Sequence, residues 1–464
     1  MKNIQQILFI ILFTISLILT LDCNADTIVW SGNIELNNDR QFTQQQTLKV
    51  MPGTVVTATG SFKIEIRGNI IAEGTTDNPI LFTASDTLGL CDSATIAGGW
   101  HGIHLLDNDN GQARFAHCRF EYGKANIPGS WFEDQGQTDY LSGNQGGALW
   151  IFDYNNIELN NCTFYYNYAR SRGGGIYYQN IDSISIIDCI FENNKVLVYG
   201  GGLFCGGQQY LIVDKCTFKL NSAWLETIGG GIFSHGSAIY LDYPANPFNL
   251  ITNNYFFNNK SLATVAIFTS ASFVCNNVFT NNYNKRVLTF NCGESSHLVV
   301  NNIFANNFYE SGVPGVFNFS QDLRFYNNIM WNNFSDEYND DDMALTSFNY
   351  PPADVQHCLV WEGRIEGTNI ITDDPIFVNP APNYGLESNG WEYDWSLRDE
   401  SPAVNAGIPD TAGLNLPPYD IAGNPRIFGN RIDMGAYENQ NVFVTTNDTP
   451  VSEDFKLFPN PGTN

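Results

Sequence analysis

An all-β chain wound as a right-handed parallel β-helix, a single-stranded solenoid with a C-terminal capping segment, is the fold this sequence predicts. Three observations predict it. Cys162, Cys189 and Cys216 fall 27 residues apart, and each opens a Cys-x-Phe unit followed by Asn at 167, 194 and 221. Glycine-rich triplets keep the same beat: Gly147-Ala148-Leu149, Gly174-Gly175-Ile176, Gly201-Gly202-Leu203 and Gly230-Gly231-Ile232 are 27, 27 and 29 residues apart. Finally, the units are too short for a helix pair and show no 3.6-residue apolar period, reading instead as brief alternating strands. A single coil cannot bury its own face, whereas stacked coils place parallel strands about 4.8 Å apart with like residues in ladders.

From the N-terminus, Lys2 supplies a positive charge, Ile7 to Leu21 is an apolar run of 15 residues, and Cys23-Asn24-Ala25 puts small residues at a cleavage site. Residues 1–25 therefore read as a secretory signal peptide, with an apolar run too short to span a bilayer comfortably. The rival, a lipoprotein signal on Cys23, is disfavoured by the preceding Asp22. No later segment is apolar enough to span, so the mature chain is expected to carry no transmembrane helix.

Residues 26–370 are assigned to the β-helix. After Cys216 the unit continues with Asn in the cysteine's place, at Asn254-Tyr255-Phe256, Asn277-Val278-Phe279, Asn302-Ile303-Phe304 and Asn328-Ile329-Met330. Cys118-Arg119-Phe120 and Cys358-Leu359-Val360 are flanking members. Nine such units make a rod section of roughly 43 Å. Within a unit, Cys and Phe point the same way and the residue between them points opposite. The Asn three residues after Phe is expected to make the bend, because Asn tolerates the left-handed conformation. Around Ile181–Asp188 both faces carry Ile, which leaves the inward set open. Nine cysteines remain after residue 25; the repeat set reads as a buried thiol ladder, with one disulfide as the alternative.

The paired Gly-Gly-[Ala/Ile]-[Ile/Leu] and Phe-x-x-Asn signals resemble the repeats of polymorphic outer-membrane proteins and of the wider pectate-lyase-like superfamily. Leu48–Thr54, Gly68–Thr75, Asn78–Thr83 and Trp100–Ile103 are similar to the opening coils of secreted β-helix proteins. Residues 371–438, with Asp374-Pro375-Ile376-Phe377, Ser401–Gly407, Asp420–Arg426 and Ile432–Glu438, resemble the choice-of-anchor segment of surface β-helix proteins, with Asn405 where Asp is usual. That segment is expected to cap the open end of the helix, its Asp and Arg residues forming structural ion pairs. Residues 439–464 read as a polar linker followed by Phe455-Lys456-Leu457-Phe458-Pro459-Asn460-Pro461, which resembles the truncated start of a type IX secretion sorting tail. The resemblance implies a protein secreted from, or held on the surface of, a Gram-negative bacterium, with the secretion machinery as a partner.

Composition narrows the function. The chain has 464 residues, 22 basic against 48 acidic, for a net charge of −26. It lacks the electrostatic footprint of a nucleic-acid or anionic-membrane binder. Aromatics reach 14%, and an outward row of Tyr or Trp on successive coils would stack on sugar rings. Trp131, Tyr166, Tyr168, Tyr177, Tyr178 and Trp331 are the candidate ligand-binding residues, drawn from a wider set that includes Tyr165, Trp391 and Trp395.

Catalysis on this fold asks for a calcium site beside a basic residue, or for paired carboxylates. Asp336, Glu337, Asp340, Asp341 and Asp342 form the densest acidic run and the candidate Ca²⁺ site, although a solvated acidic loop is the simpler reading and no cofactor is otherwise implied. Ser234-His235-Gly236 resembles the His-Gly turn of polygalacturonases, but the partner carboxylates of that family are missing at suitable places. His101 and His104 are expected to be neutral side chains against a coil edge. The expectation is a non-catalytic secreted or surface scaffold, an adhesin binding polysaccharide or cell-surface glycan. The alternative is a Ca-dependent polysaccharide lyase.

Overall fold

The computed structural model describes residues 26–128, 143–207, 210–223, 235–242, 248–268, 271–309, 315–335, 345–347, 353–361 and 365–441. The signal peptide at 1–25, Gly230-Gly231-Ile232 and everything from 442 onward lie outside those residues.

The chain winds as a right-handed parallel β-helix. One coil shows how. Ile176–Gln179 is followed by Ser183–Ile187, Ile190–Glu192 and Lys195–Val196, and each strand pairs in parallel with its equivalent one coil on, in Leu203–Gly206, Tyr210–Asp214, Thr217–Lys219 and Ser222–Ala223. One face is a sheet of 12 parallel strands from Asn33–Leu36 to Leu359–Val360, and the remaining faces join into a larger sheet. From Tyr283–Val300 onward the strands run unbroken around the bends.

The interior follows from the repeat. Phe82, Phe120, Phe164, Phe191, Phe218, Phe256, Phe279 and Phe304 form one stack, with centroids 4.4–5.1 Å apart. Cys118, Cys162, Cys189 and Cys216 are buried free thiols in a row beside them. The amide of Cys162 meets Cys189 Sγ at 3.4 Å, and that of Cys216 donates to Asn254 Oδ1 at 2.8 Å. Sulfur and carboxamide oxygen thus act as acceptor at the same site, which is why Asn can replace Cys down the ladder. Around Ile181–Asp188 the choice left open by sequence resolves: Ile184 and Ile186 are buried while Ser183 and Ser185 face outward.

Two expectations need correction. The ladder Asn is not the bend. The left-handed residue comes one position earlier, at Asn193, Asn258, Asn281 and Asn306, with φ between 51° and 57°. The ladder Asn points inward and closes the backbone: Asn282 Nδ2 donates to Phe256 O at 2.9 Å, while its Oδ1 accepts from Asn259 N at 2.9 Å. Buried amides need such partners, so each coil supplies them for the one before. The second correction concerns the fourth glycine unit. Leu203 pairs with Ile239, and Gly201 N bonds Gly236 O, so Gly236-Ser237-Ala238-Ile239 continues the glycine row. The step there is longer because a segment is inserted at the turn, which a solenoid tolerates. Small residues are required in that row: a Cβ on Gly201 would stand 2.3 Å from Ser237 O.

The last rung ends with the bridge between Leu359 and Ile371. The segment beyond makes its described contacts with the side of the rod. It runs along the flank, where Phe377, Trp395, Ala403, Met434 and Ala436 pack on the outward residues Phe257, Val278, Ile303, Ile329 and Leu359 of the 12-stranded sheet. Its antiparallel pair, Phe377–Asn379 with Asp394–Leu397, has no partner in the helix. The left-handed Asn rows clip it down. Asn258 Nδ2 donates to Ser388 O at 2.7 Å, Asn281 to Asn383 O at 2.8 Å, Asn306 to Ala381 O at 2.7 Å and Asn301 to Asp433 O at 2.8 Å. Inside the segment, Arg426 and Glu438 form a buried ion pair at 2.9 Å, and Asp433 accepts the amides of Asn405 and Asn439.

Candidate functional site

The flanking segment divides the outer face of the 12-stranded sheet. On the C-terminal coils that face is covered. On the N-terminal coils it is open, and its outward residues come in successive pairs: Arg119 and Glu121, Thr163 and Tyr165, Ile190 and Glu192, Thr217 and Lys219. The panel ends where Lys219 Nζ stands 5.4 Å from the Trp391 ring of the covering segment.

At the other margin of the panel, Tyr122, Tyr165 and Tyr166 form a half-exposed cluster. Tyr165 and Tyr166 lie 4.5 Å apart edge to face, and Tyr122 is 6.4 Å from each. The Arg119 guanidinium sits 4.2 Å over the Tyr165 ring and donates to Glu121 at 2.7 Å. Tyr122 and Tyr166 occupy the left-handed turn position, with φ of 58° and 51°. The covered coils use Asn there, and those Asn side chains hold the flanking segment. A bulky residue in that conformation is costly and is kept where something compensates. On the open coils the row is Tyr122, Tyr166, Asn193 and Leu220, so the segment-holding Asn is replaced by aromatic or apolar side chains at three of four turns.

The other residues singled out from sequence fare differently. Trp131 and the acidic run Asp336, Glu337, Asp340, Asp341 and Asp342 lie outside the described residues. Tyr168, Tyr177 and Tyr178 are buried and cannot serve as an open sugar platform. Tyr178 alternates into the core, where burial holds its phenol well above the usual range. Tyr177 does point out of its strand, but it stacks on Phe204 at 5.1 Å in a closed seam with Trp150 and Tyr240. Tyr168 is enclosed in the short strand Tyr168–Ala169. Trp331 is half-buried, against Trp361 at 4.5 Å and the flanking segment. Among the described members of that set only Tyr166 stands on the open panel, together with Tyr165 from the wider set. Tyr122 was missed, although its place two residues after Phe120, matching Tyr166 after Phe164, marks it in the repeat.

His104 is buried and His101 half-buried, and desolvation holds both imidazoles below the ordinary value. His235 lies between Tyr199 and Phe268, and burial lowers it to about 4, with the Arg286 cation adding to the shift. Among the described residues, no group of three or more His, Cys, Asp or Glu is gathered as a metal site. The open panel offers aromatic faces, hydroxyls and two ion-paired cations, Arg119 on Glu121 and Lys219 on Glu192.

Comparison with family models agrees on the fold. A family model described as "Right handed beta helix region" matches residues 80–285, somewhat under half of the chain. The crystal structure of pectate lyase Pel9A is similar at 13% identity and a TM-score of 0.31, covering 83% of this chain and 88% of its own. A likeness at that level is silent on activity. No curated protein matches the chain.

Proposed function

We propose that this chain is a non-catalytic scaffold or adhesin that works outside the cell and binds glycans through the open panel of its 12-stranded sheet. One observation carries the reading: Tyr122 and Tyr166 occupy left-handed turn positions that the covered coils give to Asn, and with Tyr165 and Arg119 they form a half-exposed aromatic cluster. Sugar rings stack their C–H faces on such rings, and the Arg119–Glu121 pair supplies donors and acceptors for hydroxyls. The pattern of residues 1–25 and the Phe455–Pro461 heptapeptide support export by a signal peptide and a type IX route, with the secretion machinery as a transient partner.

The test is a binding screen of the chain from Asp26 to Asn464 against neutral and acidic polysaccharides, with absorbance of unsaturated uronate and new reducing ends followed in parallel. The reading expects retention on at least one polysaccharide, lost in Tyr165→Ala/Tyr166→Ala, without turnover. Turnover with or without Ca²⁺ would establish the lyase alternative instead. Binding untouched by the double substitution would remove the panel from the account.

A further inference from the structure

A second site lies where the last coil meets the flanking segment. A cleft of about 530 Å³ opens there, lined by His357, Asn369 and Ile370 from the end of the helix and by Asn405, Arg431 and Met434 from the segment. That volume falls within the range of small-molecule sites. Among the described residues no Asp or Glu side chain lines it, in a chain with 48 of them.

The polar groups are held in place from behind. Arg431 donates through Nε to Gly407 O and through Nη2 to His357 Nδ1, the latter at 2.7 Å. The His357 ring is held on both sides, with Arg431 Nη2 and Ala406 O, at 2.7 and 3.2 Å, beside Nδ1 and the Asn369 carboxamide nitrogen 2.9 Å from Nε2. Burial, opposed by the Ala406 carbonyl and assisted by the Arg431 cation, keeps the His357 pKa below the usual imidazole value. Asn369 and Asn405 are both left-handed, with φ of 56° and 53°, which turns their backbone at the rim. The Asn405 backbone is anchored through its amide on Asp433 Oδ1 at 2.6 Å. Arg431 has five N–H groups, two of them used by an uncharged carbonyl and an uncharged imidazole, and no carboxylate is among its contacts.

We propose that this cleft binds the carboxylate of a small organic acid. The free edge of Arg431 matches two carboxylate oxygens, the Asn369 and Asn405 carboxamides meet neighbouring polar groups, and Ile370 with Met434 provides an apolar floor. The site is independent of the tyrosine panel and stands whether or not the panel binds glycan. Its ligand could come from a sugar acid or from a peptide C-terminus, since both present the same group.

Calorimetric titration of the chain from Asp26 to Asn464 with glucuronate, with N-acetylalanine, with glucose and with inorganic sulfate separates these. Binding of glucuronate, and not of glucose or sulfate, supports the site and points to sugar acids. Binding of N-acetylalanine supports it and points to peptide ends. In either case Arg431→Gln is expected to weaken binding at least tenfold. Because Arg431 also ties down Gly407, Ala406→Leu is the companion variant: it narrows the cleft, leaves the arginine in place and should weaken the same ligand with an unchanged melting temperature. Sulfate binding as tightly as either acid, or no binding of either carboxylate, overturns the proposal.

Discussion

Asn282 shows at the scale of one residue what holds the coils together. Its carboxamide serves four groups, among them Phe256 O and the Asn259 amide, all buried. Asn282→Ala removes a partner from each, and the Asn259 backbone amide loses the acceptor it has in Asn282 Oδ1. Asn307 Oδ1 keeps the backbone amide of residue 282, and Asn259 Nδ2 keeps Phe218 O. An unsatisfied buried group costs about 1–3 kcal/mol. A loss of about 3 kcal/mol in the stability of the cooperative unit is expected, read as a lower denaturant midpoint. His297 makes the opposite case. It is fully buried on Phe290 at 4.2 Å, with neither ring nitrogen partnered, and burial lowers it to about 3. A group whose native pKa lies below its unfolded value binds fewer protons when folded, so acid favours unfolding. The stability it contributes is whole above about pH 6.5 and drains as the pH falls towards 3. Between pH 7 and pH 5 the loss from this one ring amounts to about 2 kcal/mol. His297→Phe keeps the stacking and should flatten that limb, as chemical denaturation at the two pH values would reveal. An unchanged slope would mean that the ring is hydrated or partnered after all.

Among the elements, the flanking segment depends on one buried ion pair. Arg426 reaches Glu438 and the carbonyls of Gly435 and Ala436, with almost no exposure of either charged side chain. Arg426→Met removes one partner and leaves a buried carboxylate, a change that costs about 3–5 kcal/mol. Limited proteolysis should then cut within 371–441 while the coils stay resistant; equal resistance of both parts would show that the segment does not depend on the pair. Sequence periodicity revealed the coils because stacking demands like residues at like places, so Cys, Asn and Phe recur in step. It also identified the stretch from 371 as a separate element. It could not show where that element lies, because it is placed on the flank by outward apolar residues of the coils and by single Asn side chains at left-handed turns, and neither carries a signal to distinguish it from the core and ladder residues beside it. Insertions hid the true fourth glycine unit for the same reason: Gly236-Ser237-Ala238 keeps small size but not the Gly-Gly spelling. Outward aromatics were equally ambiguous, since alternation places Tyr177 outside its strand without revealing that a seam closes over it.

For the whole molecule, the rod presents two kinds of outer face. Where the flanking segment lies, Asn turns and apolar outward residues are consumed by it. Where it stops, at Lys219 and Trp391, the sheet continues uncovered and its turns switch to Tyr122 and Tyr166. That division is what turns a repetitive scaffold into one with a distinct surface, and the account's central claim is that this surface binds glycan. Titration of the chain from Asp26 to Asn464 with the best polysaccharide from the screen, beside Tyr165→Ala/Tyr166→Ala, tests it most directly. The account predicts binding at least tenfold weaker in the variant, with the melting temperature within a few degrees of the parent. Equal affinity in the two proteins would contradict it.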